Sequence, residues 1–134
     1  MRKISQEKLQ EILETHKLWV ESGGKKSYWA NLSKVDFTGF DFSGVNLTSV
    51  VIYESNLRGV NLQGANLTRA YFSESDLRGA NLSGANLTRA YFSRTNLREA
   101  DLRVATAKGC WIGGARFSLP RERARLMMLG AVEK

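Results

Sequence analysis

Few residues of this chain could perform acid–base, nucleophilic or metal chemistry. In 134 residues there is one histidine, His16, and one cysteine, Cys110. A single cysteine forms no internal disulfide, and one His with one Cys cannot build a zinc site from these ligands. A Ser–His–Asp triad would have to use His16, and neither a GxxxxGK(S/T) phosphate loop nor a GxGxxG motif after a strand occurs. The sequence therefore predicts a protein that is not an enzyme, with no catalytic residue, no cofactor and no metal.

Tyrosine, tryptophan and arginine instead point to recognition, because these side chains are the usual anchors of protein interfaces. Several of them recur at intervals of twenty residues, so a fold that returns every twenty residues would align them in columns. An aromatic column would be either a stacked ladder that supports the fold or a recognition surface. An arginine column would be either a solvated face balanced by nearby carboxylates or a site for an acidic partner. The candidate residues are Tyr71, Tyr91 and Trp111 in the aromatic column, Arg69 and Arg89 at the adjoining corner with Tyr53 nearby, and Arg58, Arg78 and Arg98 in the arginine column.

A five-residue period positions these side chains. From Leu32 to Phe117 an apolar residue recurs every five residues, with Ala107 its one small member, and a mostly small residue precedes it by two. The residue between them is Asn or Asp in twelve of eighteen units. Two buried residues around a polar one form the in–out–in pattern of extended chain, and the next two residues indicate a turn. The twelve Asn and Asp residues are expected either to ladder between coils or to bond nearby backbone.

A longer period of twenty residues indicates the size of one coil. Residues 56–75 and 76–95 are identical at fifteen of twenty positions, so four pentapeptides form a coil and residues i and i+20 stack. Corner glycines gather in two of the four columns, whereas the other two corners carry charged residues such as Arg69 and Glu74. The chain is therefore expected to be an all-β solenoid with a continuous interior. Cys110 falls at a small-residue position and is expected to be a buried, unreactive side chain.

Tandem Ala-(Asn/Asp)-Leu-X-X units of this kind strongly resemble the pentapeptide-repeat family. The resemblance covers about residues 30–119, which hold eighteen units. It implies a right-handed quadrilateral β-helix with four pentapeptides per coil, and eighteen units divided by four give about 4.5 coils. At about 4.8 Å per layer, the rod would be roughly 22 Å long.

The N-terminal flank, residues 1–29, is expected to cover one open end of the rod, because uncovered solenoid ends aggregate. It reads as a capping helix and linker, with Ser5 as N-cap, an apolar stripe along one side and Gly23-Gly24 as the stop. His16 lies on that stripe and is expected to be a packed or partly exposed residue, not a ligand. The segment also resembles the leader helices that precede many pentapeptide arrays.

The C-terminal flank, residues 120–134, is expected to form a short helix through about Leu129 and a tail. Ser118 would be the N-cap and Pro120 would lie in the first turn. The apolar residues of this helix would either cap the last coil or form a homodimer contact, and some pentapeptide-repeat relatives dimerise through C-terminal elements. These residues are Leu126, Met127 and Leu129.

The net charge helps to choose among the functions that the family resemblance suggests. The chain has 20 Lys+Arg against 13 Asp+Glu, or +7, and residues 30–119 carry ten against seven, or +3. Some relatives protect type II topoisomerases from quinolones by imitating DNA, which requires a negative rod, so a DNA mimic is the disfavoured alternative. Direct nucleic-acid binding by exposed Tyr and Arg is another alternative, with weak support because the charge is spread along the chain. The sequence predicts a non-enzymatic protein-interaction or structural scaffold whose partner is another protein.

No membrane partner is expected. The longest apolar runs fall far short of the roughly 20 residues that a membrane span needs, and no apolar signal core follows the charged N-terminus. The expected protein is cytoplasmic, and either monomeric or homodimeric through its C-terminal segment.

Overall fold

The computed structural model describes residues 1–25 and 30–133. The end of the predicted N-terminal linker, residues 26–29, and the last residue of the predicted tail, 134, lie outside the described residues.

Two helices flank the repeat, α1 (Gln6–Glu21) and α2 (Pro120–Met128). Neither is long and apolar enough to cross a membrane, and no other helix occurs in the described ranges. The described chain between them forms parallel β-bridges of one residue each, and these join residue i to residue i+20, as in Asn61 and Asn81. The predicted coil of twenty residues is therefore confirmed.

Four columns of bridges define four faces of the rod. The bridge residues are Asn31, Val51, Tyr71, Tyr91 and Trp111 on face 1; Asp36, Asn56, Asp76, Asn96 and Arg116 on face 2; Asp41, Asn61, Asn81 and Asp101 on face 3; and Asn46, Asn66, Asn86 and Thr106 on face 4.

Backbone hydrogen bonds tie each pentapeptide to the next coil. On face 3, the Leu62 N–H donates to the Asn81 carbonyl at 2.8 Å, and the Asn81 N–H donates to the Val60 carbonyl at 3.0 Å. The corner Gly64 N–H donates to the Ser83 carbonyl, also at 3.0 Å. One coil therefore satisfies the backbone of the next, as stacking in a solenoid requires.

Each pentapeptide ends in a tight turn with one left-handed residue. The Ala65 N–H donates to the Leu62 carbonyl at 3.0 Å, and the corner residue between them, Gly64, has a φ of 67°. All seventeen corners from Lys34 to Gly114 have φ between 55° and 87°, whereas the residues just before them do not have positive φ. A positive φ at the third turn residue alone is the geometry of a type II turn, which favours glycine there. Nine of the seventeen corners nevertheless carry another residue.

Val104 is the corner where this geometry should cost most. Its φ is 60° and its side chain is 77% exposed, so a β-branched residue takes the left-handed conformation with little burial to compensate. The corners below it in the same column are Gly44, Gly64 and Gly84. We expect Val104→Gly to raise the free energy of unfolding by about 1 kcal/mol, measured by urea denaturation. Val104→Ala keeps a Cβ and should give a smaller gain; a loss of stability in Val104→Gly would contradict this reading of the corner.

The interior is built from the centre residue of each pentapeptide. From Leu32 to Ile112 every centre residue is at most 6% exposed, and Phe72 and Phe92 stack with ring centroids 5.1 Å apart. Cys110 is buried among them, and burial raises the pKa of its thiol to about 12. The prediction of a structural, unreactive cysteine is confirmed, because reaction requires the thiolate.

The twelve Asn and Asp side chains at bridge positions bond the backbone of their own turn. The Asn61 Oδ1, for example, accepts the Gln63 N–H at 3.0 Å. The same bond to the residue two positions later occurs at all twelve. Of the two predicted roles, local backbone bonding is therefore the one observed, and it stiffens the corner that follows.

A column of buried hydroxyls lies where the sequence predicts only small side chains. Ser55, Ser75 and Thr95 are at most 2% exposed. The Ser75 Oγ accepts the Ser55 N–H at 3.0 Å and donates to the Ile52 carbonyl at 2.9 Å, and the Thr95 hydroxyl donates to the Phe72 carbonyl at 3.0 Å. Each hydroxyl thus supports the turn of the preceding coil.

Helix α1 begins and ends as predicted. The Ser5 Oγ accepts the Lys8 N–H at 3.0 Å, and the chain leaves the helix through Gly23 and Gly24, with φ of 69° and 86°. Leu9, 2% exposed, belongs to the core of the rod. The apolar stripe of the helix therefore packs on the first coils.

His16 joins α1 to the rod through both ring nitrogens. Its Nδ1 accepts the Ala30 N–H at 2.8 Å, and its Nε2 lies 2.6 Å from the Thr48 carbonyl. A carbonyl only accepts, so Nε2 carries the hydrogen and the ring is neutral. The ring is 1% exposed and stacks on Trp19 with centroids 5.7 Å apart. His16 is thus a packed residue, as predicted.

Protonation of His16 should lower the free energy of unfolding as the pH falls. Burial lowers the pKa of His16 below 6.5, and the Thr48 carbonyl opposes this in part. A lowered folded-state pKa gives a contribution that is complete above about 6.5, the unfolded value, and is lost as pH falls towards the folded value. We expect a lower free energy of unfolding at pH about 5.5 than at about 7.5, because a proton on Nδ1 would face the Ala30 N–H. His16→Gln should be less stable than wild type at the higher pH and nearly insensitive to this change; an equal pH dependence in both proteins would contradict the assignment.

Helix α2 begins one residue later than predicted. Ser118 is not the N-cap; Leu119 is, and its N–H donates to the Glu122 carboxylate at 2.8 Å. The Ser118 Oγ instead accepts the Glu99 corner N–H at 2.7 Å. In the earlier coils the equivalent corner N–H groups, of Gly59 and Gly79, donate to backbone carbonyls. The Ser118 hydroxyl takes the place of that carbonyl in the last coil and is therefore not available to cap the helix.

Both termini add a strand-like layer to the rod. Near the N-terminus Arg2 pairs with Val35, and near the C-terminus Val132 pairs with Trp111, extending face 1. Leu126 of α2 is 1% exposed and belongs to the core.

Candidate interaction surface

Face 1 carries the predicted aromatic column as one continuous stack. The Tyr71 and Tyr91 rings lie 4.0 Å apart at an interplanar angle of 8°, and the Tyr91 and Trp111 rings lie 6.2 Å apart at 11°. Val51 precedes the stack and Val132 follows it in the same column of bridges. Parallel pairing at about 4.8 Å per layer holds identical side chains face to face.

The stack presents ring edges and hydroxyls to solvent, because the ring faces lie against one another. Tyr71 is 42% exposed, and Tyr91 and Trp111 are partly exposed. Burial and the neighbouring Tyr91 phenol raise the pKa of Tyr71, so this phenol is a neutral hydrogen-bond donor at physiological pH. Ring edges carry the positive part of the aromatic quadrupole. The stack therefore offers an electropositive surface.

Arg69 and Arg89 form the corner on one side of this stack. Both are exposed and left-handed, with φ of 59° and 57°, and neither forms an ion pair within the described chain. The Arg89 stem lies over Gly109, where an added Cβ would come 3.2 Å from Arg89 Cγ. We call this corner the cationic edge of face 1, defined by Arg69 and Arg89.

A shallow groove separates the cationic edge from the aromatic stack. It consists of two adjoining cavities of about 390 and 360 Å³ that share Arg69 and Tyr91. The first is lined by Trp19, Ser49, Val51, Arg69, Tyr71 and Tyr91. The second is lined by Arg69, Arg89, Tyr91, Gly109, Trp111 and Val132. The contributions of Trp19 from α1 and Val132 from the tail come from outside the repeat, so the five-residue period could not reveal them.

The corner on the other side of the stack is neutralised. Lys34 lies 4.0 Å from Glu54, and Arg94 donates to Glu74 at 2.8 Å. Tyr53, 37% exposed, borders a cavity of about 420 Å³ at this corner. Face 1 thus has one ion-paired edge and one cationic edge.

The second predicted set, the arginine column, is largely paired. Arg78 donates to Asp76 at 2.7 Å, and Arg58 lies 3.9 Å from the same carboxylate. Partial burial opposes ionisation of Asp76, but the hydrogen bonds and charge of Arg78 outweigh it and lower the pKa of Asp76. Arg98 has no ion pair among the described residues, and Arg103 on face 3 pairs with Asp101 at 2.7 Å. One carboxylate, Asp76, thus balances two of the three arginines of this column.

Of the three predicted cap or dimer contacts in α2, one is buried and two are exposed. Leu126 is buried against the core, whereas Met127 and Leu129 are 38% and 41% exposed. Arg125 of the same helix donates to the Leu102 carbonyl at 2.9 Å, at the open end of face 3. Helix α2 therefore contacts the last coil with one side and leaves apolar side chains outside.

Within the described ranges, no group of three or more His, Cys, Asp or Glu side chains is placed to hold a metal ion. What the surface offers chemically is hydrogen-bond donors and positive charge along face 1.

The sequence matches the family model for pentapeptide repeats, with eight copies over residues 28–64, 65–103 and 80–118. No curated protein matches the chain.

Solved structures that are similar to this chain include two pentapeptide repeat proteins from cyanobacteria. One is HetL, a pentapeptide repeat protein involved in heterocyst differentiation regulation from Nostoc sp. strain PCC 7120, at 35% identity and a TM-score of 0.65; the match covers 67% of this chain. The chain spans 41% of the length of HetL. The other is Rfr23, a pentapeptide repeat protein from Cyanothece 51142, at 29% identity and a TM-score of 0.64, covering 71% of this chain and 69% of that one.

A third likeness is to QnrB1, a plasmid-mediated fluoroquinolone resistance protein, at 19% identity and a TM-score of 0.31. It covers 66% of this chain and 51% of that one.

Proposed function

Because the chain belongs to the pentapeptide-repeat family, whose fold is a right-handed quadrilateral β-helix, we propose that it is a non-enzymatic scaffold that binds a partner protein through face 1. The proposal includes the division of the chain into an N-terminal capping helix and linker (1–29), a rod of about 4.5 coils (30–119), and a C-terminal capping helix and tail (120–134).

The main support for this proposal is the distribution of non-glycine residues among the left-handed corners of the rod. Glycine accepts this conformation freely, whereas any other residue is disfavoured by roughly 1–2 kcal/mol. Of the eight corners beside face 3, six are glycine (Gly39, Gly44, Gly59, Gly64, Gly79 and Gly84), and Glu99 and Val104 are not. Of the nine described corners beside face 1, Gly109 and Gly114 are glycine and the other seven are not: Lys34, Ser49, Glu54, Arg69, Glu74, Arg89 and Arg94. Seven of the nine side chains in left-handed corners thus lie beside face 1, which is the pattern of a working surface.

The composition of the stack supports the same face. Exposed Tyr, Trp and Arg are the side chains that most often dominate binding energy. On face 3 the bridge positions hold only Asn and Asp, whose side chains bond their own turns. Face 1 therefore has more side chains available to a partner than face 3 has.

The nucleic-acid alternatives have less support. A DNA mimic needs negative charge, and the rod carries +3. Binding of single strands uses open aromatic faces on which bases stack, and in this stack neighbouring rings occupy both faces of Tyr91 and one face each of Tyr71 and Trp111.

Helices α1 and α2 are proposed as caps, with Leu126 as the buried cap contact. A homodimer through Met127 and Leu129 is the alternative role of α2, because these side chains remain exposed.

The proposal is tested by photo-cross-linking in cells of the source organism, with the reactive group on face 1 or on face 3. A protein cross-linked from face 1 alone supports it. Cross-linking only from face 3, or from neither face, overturns it.

A further inference from the structure

We infer that the cationic edge of face 1 binds an acidic, extended segment of the partner protein. This inference rests on the proposed function, because it assumes that face 1 is the binding surface.

Within residues 1–25 and 30–133, Arg69 and Arg89 lack a counter-charge of the kind found on the opposite edge of face 1. On the opposite edge, Lys34 is paired with Glu54 and Arg94 with Glu74. Arg69 and Arg89 occupy the equivalent places on the cationic edge without an ion pair in the described part of the chain, although like charges one layer apart repel. A carboxylate from a partner would supply the charge that the chain itself supplies on the other side.

The spacing of the Arg69 and Arg89 side chains suits a carboxylate. Residues 69 and 89 are one coil apart, which is about 4.8 Å along the rod. At that spacing one carboxylate can reach both guanidinium groups, each of which offers a fork of N–H donors. The stack next to them presents electropositive ring edges and the neutral Tyr71 hydroxyl, which favour an anion as well.

The shape of the groove suits an extended peptide segment. It runs along the rod from Val51 to Val132, across four layer steps, or about 19 Å. At about 3.3 Å per residue, an extended chain of about six residues fills that length. The groove is shallow and open, so a segment can lie along it from solvent.

A nucleic acid is the less favoured ligand for this edge. Its phosphates would also pair with Arg69 and Arg89, but most of the ring faces on which its bases could stack are occupied by neighbouring rings. The experiment therefore includes DNA as a separate arm.

The test measures binding of fluorescent probes by anisotropy. The probes are a peptide of about ten residues alternating Glu and Thr, the same peptide with Gln for every Glu, and single-stranded DNA of about ten nucleotides. We expect the wild-type protein to bind the Glu peptide in preference to the other two, and to bind it more weakly as salt increases.

The decisive comparison uses two double variants with the same change of charge. Arg69→Gln/Arg89→Gln should weaken binding of the Glu peptide about tenfold or more, because two charge-assisted contacts are lost. Arg98→Gln/Arg121→Gln removes two exposed arginines that form no ion pair in the described chain, and should change binding less than about twofold. All four side chains are exposed, and circular dichroism checks that both variants fold.

Equal losses in the two double variants would overturn the inference, because they would show only general attraction by net charge. Tighter binding of DNA than of the Glu peptide, or no binding of the Glu peptide, would also overturn it. The proposed function is judged separately by the cross-linking experiment, which does not require an acidic partner.

Discussion

Leu62→Arg is expected to leave the protein without a cooperative unfolding transition. Leu62 is 0% exposed, in the layer between Phe42 and Leu82 at the centre of face 3. The interior around it is apolar, so the guanidinium would be buried without a partner. An uncompensated buried charge costs about 3–5 kcal/mol or more, which approaches the whole stability of a small domain. Far-UV circular dichroism during heating should show the loss.

The neighbouring residue provides a matched control. Gln63 is exposed and bonds through its backbone: its N–H donates to the Asn61 side chain and its carbonyl accepts the Gly44 N–H. Gln63→Arg introduces the same group one residue away and should change the free energy of unfolding by less than about 0.5 kcal/mol. Wild-type melting of Leu62→Arg would show that the centre residues do not form the interior.

Removal of residues 120–134 is expected to convert the protein into a self-associating species. The truncation exposes the last coil by removing the buried Leu126, the bond from Arg125 to the Leu102 carbonyl, and the pairing of Val132 with Trp111. Backbone groups left open at a sheet edge pair with other chains. Sedimentation velocity over a range of protein concentrations should show a mass that rises with concentration, together with a lower melting temperature.

Removal of residues 133–134 alone is the control. It deletes the exposed ion pair of Glu133 with Arg123, whose contribution should be below about 1 kcal/mol. A truncated protein (1–119) that stays monomeric and melts like the full chain would contradict the cap. A dimeric full chain that becomes monomeric on truncation would instead assign the segment as the dimer contact.

The rod could be predicted from sequence because its determinants are local and repeated. A five-residue alternation of apolar, polar and turn residues gives the edges and corners, and the near-identity of residues 56–75 and 76–95 gives the coil of twenty. From that register the stacking of Tyr71 on Tyr91 followed directly, since residues twenty apart must lie in neighbouring layers.

Features that depend on what packs across the repeat could not be predicted. The sequence identifies His16 as part of a helical stripe, but its two bonds to Ala30 and Thr48 require the placement of α1 on the rod. Ser118 has the sequence of an N-cap, yet the last coil uses its hydroxyl. The groove combines Trp19 with Val132, residues from opposite flanks of the repeat, and no periodicity relates them.

The distribution of charge on the surface could not be predicted from the sequence either. The net charge of +7 follows from composition, whereas the difference between the two edges of face 1 depends on which side chains meet. Glu74 neutralises Arg94 across one layer, and no carboxylate in the described chain does so for Arg69 or Arg89. Specific recognition depends on this local difference and not on the total.

The central claim, that a partner protein binds face 1, is tested most directly by site-specific cross-linking. Benzoylphenylalanine replaces either Tyr71 on face 1 or Gln63 on face 3, both exposed, and the cells are irradiated. The account predicts one discrete adduct from position 71 that is absent from position 63, with the partner identified by mass spectrometry. The same adduct from both positions, or an adduct from position 63 alone, would contradict it.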